Sequence, residues 1–360
     1  MNKRIVIMAG GTGGHVFPAL AVAEELRARG WHVSWLGTRK GLESRVVPAH
    51  DIDIDWLSVE GLRGKGLLSK LSAVLRLIQA CIQARGILRQ RRPDVVLGMG
   101  GFVAGPGGLM AKWLGIPLVV HEQNRVPGTT NRWLMKLAAT QVLEAFPGSF
   151  PAQAKAIFTG NPLRKAFVGT EERQPWQPDC GRPLRILILG GSQGAKVLND
   201  HVPEALAGLS PLAIKHQTGS AMQAEVSERY RALGLDAEVA AFIDDMAAAY
   251  RWADLIVCRA GAMTVSEVAA CGLPAIFVPL LHAIDDHQSA NARYLSEAGA
   301  ALLLPQPELN AANLQKTIRQ AMKQLPIMSQ AAQAKAKLDA TQTVADLCAA
   351  HARPQPEVSR

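Results

Sequence analysis

Residues 4–18 read Arg-Ile-Val-Ile-Met-Ala-Gly-Gly-Thr-Gly-Gly-His-Val-Phe-Pro, an apolar run that passes through a glycine turn into a segment of helical spacing. A strand feeding a glycine turn and then a helix N-terminus sets bare N–H groups and a partial positive charge before its ligand, so the turn suits an anion. It is not a dinucleotide fingerprint. After Gly11 and Gly13 the third glycine position is Val16, and the next strand, Trp31 to Leu36, runs into Gly37-Thr38 and not into an acid that would hold a ribose. The same opening returns in the second half, where Arg185-Ile186-Leu187-Ile188-Leu189-Gly190-Gly191-Ser192-Gln193-Gly194-Ala195 echoes Arg4 to Gly14. Two such openings predict an α/β protein of two doubly wound, Rossmann-like domains facing across a cleft.

Composition sets bounds on this reading. A chain of 360 residues is long for one core, and 48% apolar with 5% aromatic residues fits an α/β protein. The net charge of +9 calls for an anionic partner: nucleic acid, a phosphorylated small molecule or an acidic membrane surface. Five scattered cysteines, Cys81, Cys180, Cys258, Cys271 and Cys348, form no CxxC pair, which points to a reducing compartment and away from zinc. The apolar run behind Asn2-Lys3-Arg4 breaks at Gly10, so no signal peptide is expected, and no apolar run is long enough to span a bilayer.

In chain order, Pro18 to Arg29 is expected as a helix with Pro18 in its first turn and Gly30 at its C-terminal end. Asp51-Ile52-Asp53-Ile54-Asp55-Trp56 contains a DxD pattern, but its alternation predicts a strand that buries Ile52, Ile54 and Trp56 and leaves the carboxylates in solvent. The loop Glu60 to Gly66 leads into a helix from Leu67 to Gln90. Its apolar residues (Leu67, Leu71, Val74, Leu75, Ile78, Ile82) fit either of two roles: a face packed on its own domain, or, with Leu68, Lys65, Lys70 and Arg76, a surface resting on anionic lipid. Arg125, Lys136 and Lys112-Trp113 can belong to that surface. Asp94 to Leu97 is a buried strand running into a second glycine loop, Gly98 to Gly108. Leu118 to Val120 is another, ending in His121-Glu122-Gln123-Asn124. Polar residues past the carboxyl ends of parallel strands are where open sheets bind ligands.

Thr159 to Arg164 and Gly169 to Pro183 read as hinge and linker. Further strands are expected at Leu212 to Gln217, Glu238 to Ile243, Leu255 to Cys258 and Ala275 to Val278, with Asp244-Asp245 capping a helix from Met246. Past Cys258, Thr264 is expected to cap a helix that carries Glu267 and stops at Gly272. Phosphates suit that helix N-terminus, and the Glu267 carboxylate can accept from two vicinal hydroxyls, as a ribose offers. With Gly190 to Gly194 and the Ser192 hydroxyl this describes a nucleotide diphosphate cradle, to which Asp285 to Asn291 adds amides for a sugar. A last helix near Lys335 to Ala350 is expected to return to the first domain.

Gly10 to Pro18, Gly100 to Pro106, His121 to Asn124, Gly160 to Arg164, Gly190 to Gly194 and Arg259 to Pro274, in this order, resemble the MurG family of bacterial transferases (GT-B type, family 28). Phe102 and Ala104 stand where that family often has Tyr and Ser, and His287 precedes a single glutamine where it often has two. The resemblance implies an inverting hexosyltransferase that moves GlcNAc from UDP-GlcNAc to the 4-hydroxyl of undecaprenyl-pyrophosphoryl-MurNAc-pentapeptide. That β-1,4 linkage converts lipid I to lipid II, the last cytoplasmic step of peptidoglycan precursor synthesis. It further implies an acceptor and membrane domain at 1–160, to which the last helix returns, and a UDP-GlcNAc domain at 161–334. Donor contacts would come from Thr12, Gly13, Gly14, Asn124, Arg164, Ser192, Ile243 (by its backbone, at the uracil), Ala262, Met263, Thr264, Glu267 and Gln288. Acceptor contacts would come from Gly11, Gly101, Phe102 and Gly105. His15 is the first candidate for general base and Glu122 the second. No metal, cofactor or nucleic acid is implied, and the protein would lie peripherally on the cytoplasmic face of the inner membrane. Two other readings remain: a nucleotide-sugar epimerase sharing the fold and donor, and a non-catalytic donor-binding scaffold.

Overall fold

The structure is a computed structural model that describes residues 2–59, 67–169, 174–178, 180–190, 195–209, 211–280 and 286–354. The chain divides into two compact units: Met1–Arg164 with Asp339–Arg360, and Lys165–Leu338.

The first unit runs β1 (Arg4–Ala9), α1 (Gly13–Ala28), β2 (His32–Gly37), α2 (Glu43–Val46), β3 (Asp53–Trp56), α3 (Leu67–Arg91), β4 (Val95–Gly100), α4 (Ala104–Trp113), β5 (Leu118–Glu122), α5 (Thr129–Leu137), β6 (Gln141–Glu144) and β7 (Ile157–Phe158). Its seven strands are parallel in the order β3-β2-β1-β4-β5-β6-β7. The period-two alternation of β1 feeds two cores. Ile5, Ile7 and Ala9 face α1, while Val6 and Met8 face the side covered by α3 and α4. Each fully buried aliphatic side chain there stabilises the unit by about 1.5–3 kcal/mol. Gly107 and Gly108, expected in the second glycine loop, are helical residues of α4. A Cβ on Gly107 would stand 2.2 Å from Met8 Sδ and one on Gly108 2.6 Å from Leu134 Cδ2, so these glycines let α4 lie close on its neighbours.

The second unit runs β8 (Leu184–Leu189), α6 (Lys196–Leu206), β9 (Leu212–Gln217), α7 (Gln223–Ala232), β10 (Ala237–Ala240), α8 (Met246–Trp252), β11 (Leu255–Cys258), α9 (Ala262–Ala270), β12 (Ala275–Phe277), α10 (His287–Ser296), β13 (Ala301–Leu303), α11 (Ala311–Met322) and α12 (Leu325–Lys335). Its six strands are parallel in the order β10-β9-β8-β11-β12-β13. The last helix, α13 (Ala340–His351), is part of the first unit, where Val344, Ala345 and Cys348 join the core beside α1.

Three expectations are corrected. Helix α1 begins at Gly13, so Pro18 lies inside it, and the ring's missing N–H leaves the Gly14 carbonyl without its helical donor. Helix α9 begins at Ala262 with Gly261 at the N-cap, which makes Thr264 its third residue and not its cap. The carboxylates of β3 are not simply solvated: Arg91 reaches Asp53 at 2.8 Å and Asp55 at 2.7 Å. Helix α3 shows which of its residues pack inward. Ala80, Ala84 and Leu88 are buried, while Val74, Leu75, Ile78 and Ile82 are more than half exposed. Among the described residues no helix is long and apolar enough to cross a membrane.

Candidate active site

In each sheet the strand order reverses beside its first strand, between β1 and β4 in one unit and between β8 and β11 in the other. Loops leaving adjacent strands in opposite directions open a crevice there, and this is where doubly wound sheets bind ligands. The glycine stretches and the stretch from Arg259 to Glu267 follow these four strands, and His121 to Asn124 stands at the end of β5.

In the first unit Thr12 is the N-cap of α1, and Gly13, Gly14 and His15 are its first three residues. The N–H groups of Gly13 and Gly14 lie ahead of the helix ladder at the positive end of its dipole, while His15 N–H donates to Thr12 O at 3.1 Å. The preceding turn is held from behind by Glu43, a fully buried residue at the start of α2. Its Oε2 accepts from Gly11 N–H at 2.9 Å, and its Oε1 accepts from the N–H and hydroxyl of Thr38 at 2.9 and 2.8 Å. A Cβ on Gly10 would come within 2.6 Å of that carboxyl, and Gly11 has φ +92°. Gly10 and Gly11 are therefore required by the turn itself. The loop after β4 stacks on it. A Cβ on Gly101 would lie 2.5 Å from Gly10 O, and one on Gly100 2.8 Å from the His15 ring. The imidazole of His15 thus lies against the Gly100 backbone, with Phe102 exposed beside it on the same loop and Gly105 half-buried in the first turn of α4.

Past β5, Glu122 is buried and fully engaged. Its Oε1 accepts from the N–H and side-chain amide of Asn124 at 2.9 and 3.2 Å, and its Oε2 from Gly128 N–H and Asn131 Nδ2 at 3.0 and 2.9 Å. A carboxylate so occupied anchors the loop that carries Asn124. That geometry does not suit the general-base role considered for Glu122. Beneath it, His121 bonds Gly160 O at 3.0 Å through Nε2, while its Nδ1 takes the Gln123 amide at 3.0 Å. Burial pushes the His121 pKa down to about 4. Asn161 donates to Gln123 O at 3.1 Å, and the Arg164 guanidinium sits 5.4 Å from the Phe17 ring centre.

In the second unit the glycine loop after β8, Ser192 included, lies outside the described residues. After β11, Ala262, Met263 and Thr264 are the first three residues of α9, the same placement as Gly13, Gly14 and His15 on α1. Arg259 braces the turn by donating to Val278 O and Pro279 O at 3.0 and 3.2 Å. Its pKa is lowered by burial. Glu267 follows on α9, 9% exposed, and its charge acts on the buried Tyr250 of α8. Burial first, then the Glu267 charge, holds the Tyr250 pKa well above the usual phenol value. The same two causes, in the same order, raise the Cys258 thiol. Ile243 is half-buried in the turn before α8, whose N-cap Asp245 accepts from Ala248 N–H at 2.8 Å. Gln288, second in α10, accepts from Leu280 N–H at 2.9 Å through Oε1, and Asn291 ties α10 to Ala260 O at 3.3 Å.

Glu43 and Tyr250 were not singled out in the sequence. Their partners stand far along the chain, and a lone Glu or Tyr in a helical pattern carries no signal of its own. The candidate membrane residues divide. Lys65 and the side chains of Leu67, Leu68, Lys70 and Leu71 lie outside the described residues, whereas Leu75 and Arg76 are exposed on α3. Among the described residues no group of three His, Cys, Asp or Glu side chains comes together as a metal site.

Residues 5–143 match the glycosyltransferase family 28 N-terminal domain, and residues 185–348 match its C-terminal domain. A UDP-N-acetylglucosamine–N-acetylmuramyl-(pentapeptide) pyrophosphoryl-undecaprenol N-acetylglucosamine transferase from Methylococcus capsulatus is 60% identical over 353 residues, covering 97% of this chain and 98% of that one. One of the same description from Tolumonas auensis is 51% identical, covering 97% and 99%. The crystal structure of MurG from Acinetobacter baumannii superposes with a TM-score of 0.84 at 42% identity, covering 97% and 99%. A UDP-GlcNAc 2-epimerase from Neisseria meningitidis shares the fold alone, with a TM-score of 0.65 at 13% identity over 96% and 98%.

Proposed function

The chain belongs to glycosyltransferase family 28, and on that premise we propose how its residues divide the work of the reaction. It is a GlcNAc transferase that takes the sugar from UDP-GlcNAc to undecaprenyl-pyrophosphoryl-MurNAc-pentapeptide, the reaction named for relatives 50–60% identical over their full length. The observation that carries the assignment of sites is the pair of helix starts at the two switch points. Both set first-turn N–H groups past the carboxyl end of a strand, and only α9 adds a buried carboxylate suited to a ribose.

UDP-GlcNAc binds the second unit. Ala262, Met263 and Thr264, with Ser192, hold the diphosphate, Glu267 accepts from the ribose hydroxyls, and Ile243 meets the uracil through its backbone. Gln288, whose carbonyl accepts from Leu280 N–H, gives its Nε2 to a sugar oxygen. The lipid acceptor binds the first unit, where Gly11, Gly101, Phe102 and Gly105 receive its sugar. Thr12, Gly13, Gly14, Asn124 and Arg164 approach the donor from this unit. The acceptor 4-hydroxyl attacks the anomeric carbon as UDP leaves, with inversion and formation of a β-1,4 bond. His15 takes the hydroxyl proton, a step that contributes about 10²- to 10⁴-fold. The negative charge that develops on UDP falls on the α9 N-terminus and on Arg164.

The protein lies peripherally on the cytoplasmic face of the inner membrane, held by the outward stripe of α3 and by Trp113 and Trp133, 66% and 62% exposed. The experiment is incubation with labelled UDP-GlcNAc, with and without a short-chain lipid acceptor. Acceptor-dependent disaccharide is expected. An epimer formed without acceptor, or no turnover in either case, overturns the proposal.

A further inference from the structure

The helix starts of α1 and α9 are alike in placement but are backed by opposite charges. Behind α1 stands Glu43, 0% exposed, whose oxygens accept from Gly11 N–H at 2.9 Å and from the N–H and hydroxyl of Thr38 at 2.9 and 2.8 Å. Acceptance at both oxygens is the behaviour of an ionised carboxylate. Behind α9 stands Arg259, a residue that keeps its charge, tied to Val278 O and Pro279 O at 3.0 and 3.2 Å just before the helix begins at Ala262.

The charge behind α1 is unbalanced and poorly screened. Among the described residues no lysine, arginine or histidine pairs with Glu43. Gly10, Gly37 and Gly41 close around its side chain: a Cβ on Gly10 would stand 2.6 Å from Oε1, one on Gly37 2.8 Å from Cγ, and one on Gly41 would overlap the carboxyl. A charge shut off from water in this way acts more strongly on its surroundings than an exposed one. A helix N-terminus carries about half a positive charge. The full negative charge of Glu43, hydrogen-bonded one residue before the N-cap Thr12, outweighs it. The start of α1 thus keeps the N–H dipoles of Gly13 and Gly14, which suit a hydroxyl or carbonyl oxygen, and lacks the field that would hold a diphosphate.

We propose that Glu43 is a specificity-determining residue: its buried charge makes the turn from Gly10 to Gly14 a seat for uncharged sugar oxygens and turns diphosphates away, so that the nucleotide's goes to α9 and the lipid's stays off this turn. This rests on the assignment of the acceptor to the first unit and of UDP to the second.

Inorganic pyrophosphate is the probe. It is titrated by calorimetry into enzyme saturated with UDP, which fills the diphosphate site of the second unit, and it is tested in turnover as a competitor of a short-chain lipid acceptor at saturating UDP-GlcNAc. The wild type is expected to bind it too weakly to shift the acceptor KM. Glu43→Gln removes the charge, and should bind pyrophosphate at least about tenfold more tightly and show a raised acceptor KM in its presence. Thr38→Val takes a hydrogen bond from the same carboxylate but keeps the charge, so its pyrophosphate affinity should match the wild type whatever its kcat. Wild-type enzyme that already binds pyrophosphate in competition with the acceptor overturns the inference, and this arm needs no variant. A folded Glu43→Gln that gains no affinity also overturns it and leaves the acceptor assignment standing. Pyrophosphate bound by Glu43→Gln without competition removes the acceptor from this turn, and the inference falls with that assignment. An equal gain in Thr38→Val would trace the effect to a loosened turn and overturn the role of the charge.

Discussion

Two side chains make the divided site testable at the scale of single atoms. His15 is the third residue of α1 with its ring against Gly100, and a base there should be worth about 100-fold or more. His15→Ala is expected to lower kcat by that factor at saturating donor and acceptor, and a loss under about tenfold removes the assignment. Gln288 offers a sharper question, because Leu280 N–H already takes its carbonyl. Gln288→Glu keeps that acceptor and replaces the Nε2 donor by a second oxygen. The KM for UDP-GlcNAc should rise about 10- to 100-fold, while the affinity for UDP, which lacks the sugar, changes under about threefold. A parallel loss of UDP would show that Gln288 does not read the sugar. The residue types at both positions could be picked from the sequence, since each stands just past a strand in a cluster of polar or glycine residues. The direction of the Gln288 amide could not, because it depends on a backbone N–H eight residues earlier.

At the scale of elements, strands were legible from alternation and from the glycines that end them, and Leu212–Gln217 and Leu255–Cys258 fall where the pattern places them. Helix starts were less so. Gly13, Gly14 and His15 are poor helix formers, and Pro18 mimics a first-turn proline, so the true first turn of α1 reads as loop. Short edge strands such as β7 and β13, of two and three residues, leave no period to detect. Packing between elements was hidden altogether. Glu43 joins the turn before α1 to the turn after β2, 32 residues apart from its Gly11 partner. Glu43→Gln would turn one of the accepting oxygens into a donor against another donor, a buried mismatch of about 1–3 kcal/mol. Turnover should fall about tenfold while UDP binding holds, because the contacts proposed for the uridine belong to the other unit. Unchanged kcat would mean that the turn is rigid without its carboxyl.

Helix α3 carries the second prediction at this scale. Its buried side holds Ala80, Ala84 and Leu88, while Val74, Leu75, Ile78 and Ile82 point outward, more apolar surface than a helix built only to cover a sheet would expose. Arg85 lies 4.7 Å from the Trp113 ring, so cation and aromatic share that surface. Ile78→Asp and Arg76→Glu should each weaken co-sedimentation with vesicles containing anionic phospholipid. The first loses insertion of a side chain worth about 1.5–3 kcal/mol, and the second about 1 kcal/mol of attraction that salt also removes. Equal binding to neutral vesicles would leave the charge without a role.

At the scale of the whole molecule, the repeated opening of strand, glycine turn and helix was enough to announce two doubly wound units, because that pattern admits few topologies. It said nothing of the polar groups buried in each. Both units hold a neutral histidine in the same hydrogen-bonding state. His121 donates through Nε2 to Gly160 O and accepts at Nδ1 from Gln123. His216 donates through Nε2 to Asn199 Oδ1 at 3.2 Å and accepts at Nδ1 from the Tyr230 hydroxyl at 2.9 Å. Burial lowers their pKa values to about 4 and about 3, with Arg229 adding to the effect on His216. An unfolded histidine takes up its proton near pH 6.5, so below that value the unfolded chain binds more protons than the native one. The stability these residues contribute is complete above pH 6.5 and is lost as pH falls toward their native values. The slope is about 1.4 kcal/mol per pH unit for each, or about 2 kcal/mol per unit of structure by pH 5. Denaturant midpoints measured from pH 7.5 to 5 should fall accordingly. In His121→Gln the slope, whatever the starting stability, should shrink for the first unit alone, and in His216→Gln for the second alone. Unchanged slopes in both variants would place the acid sensitivity in other groups.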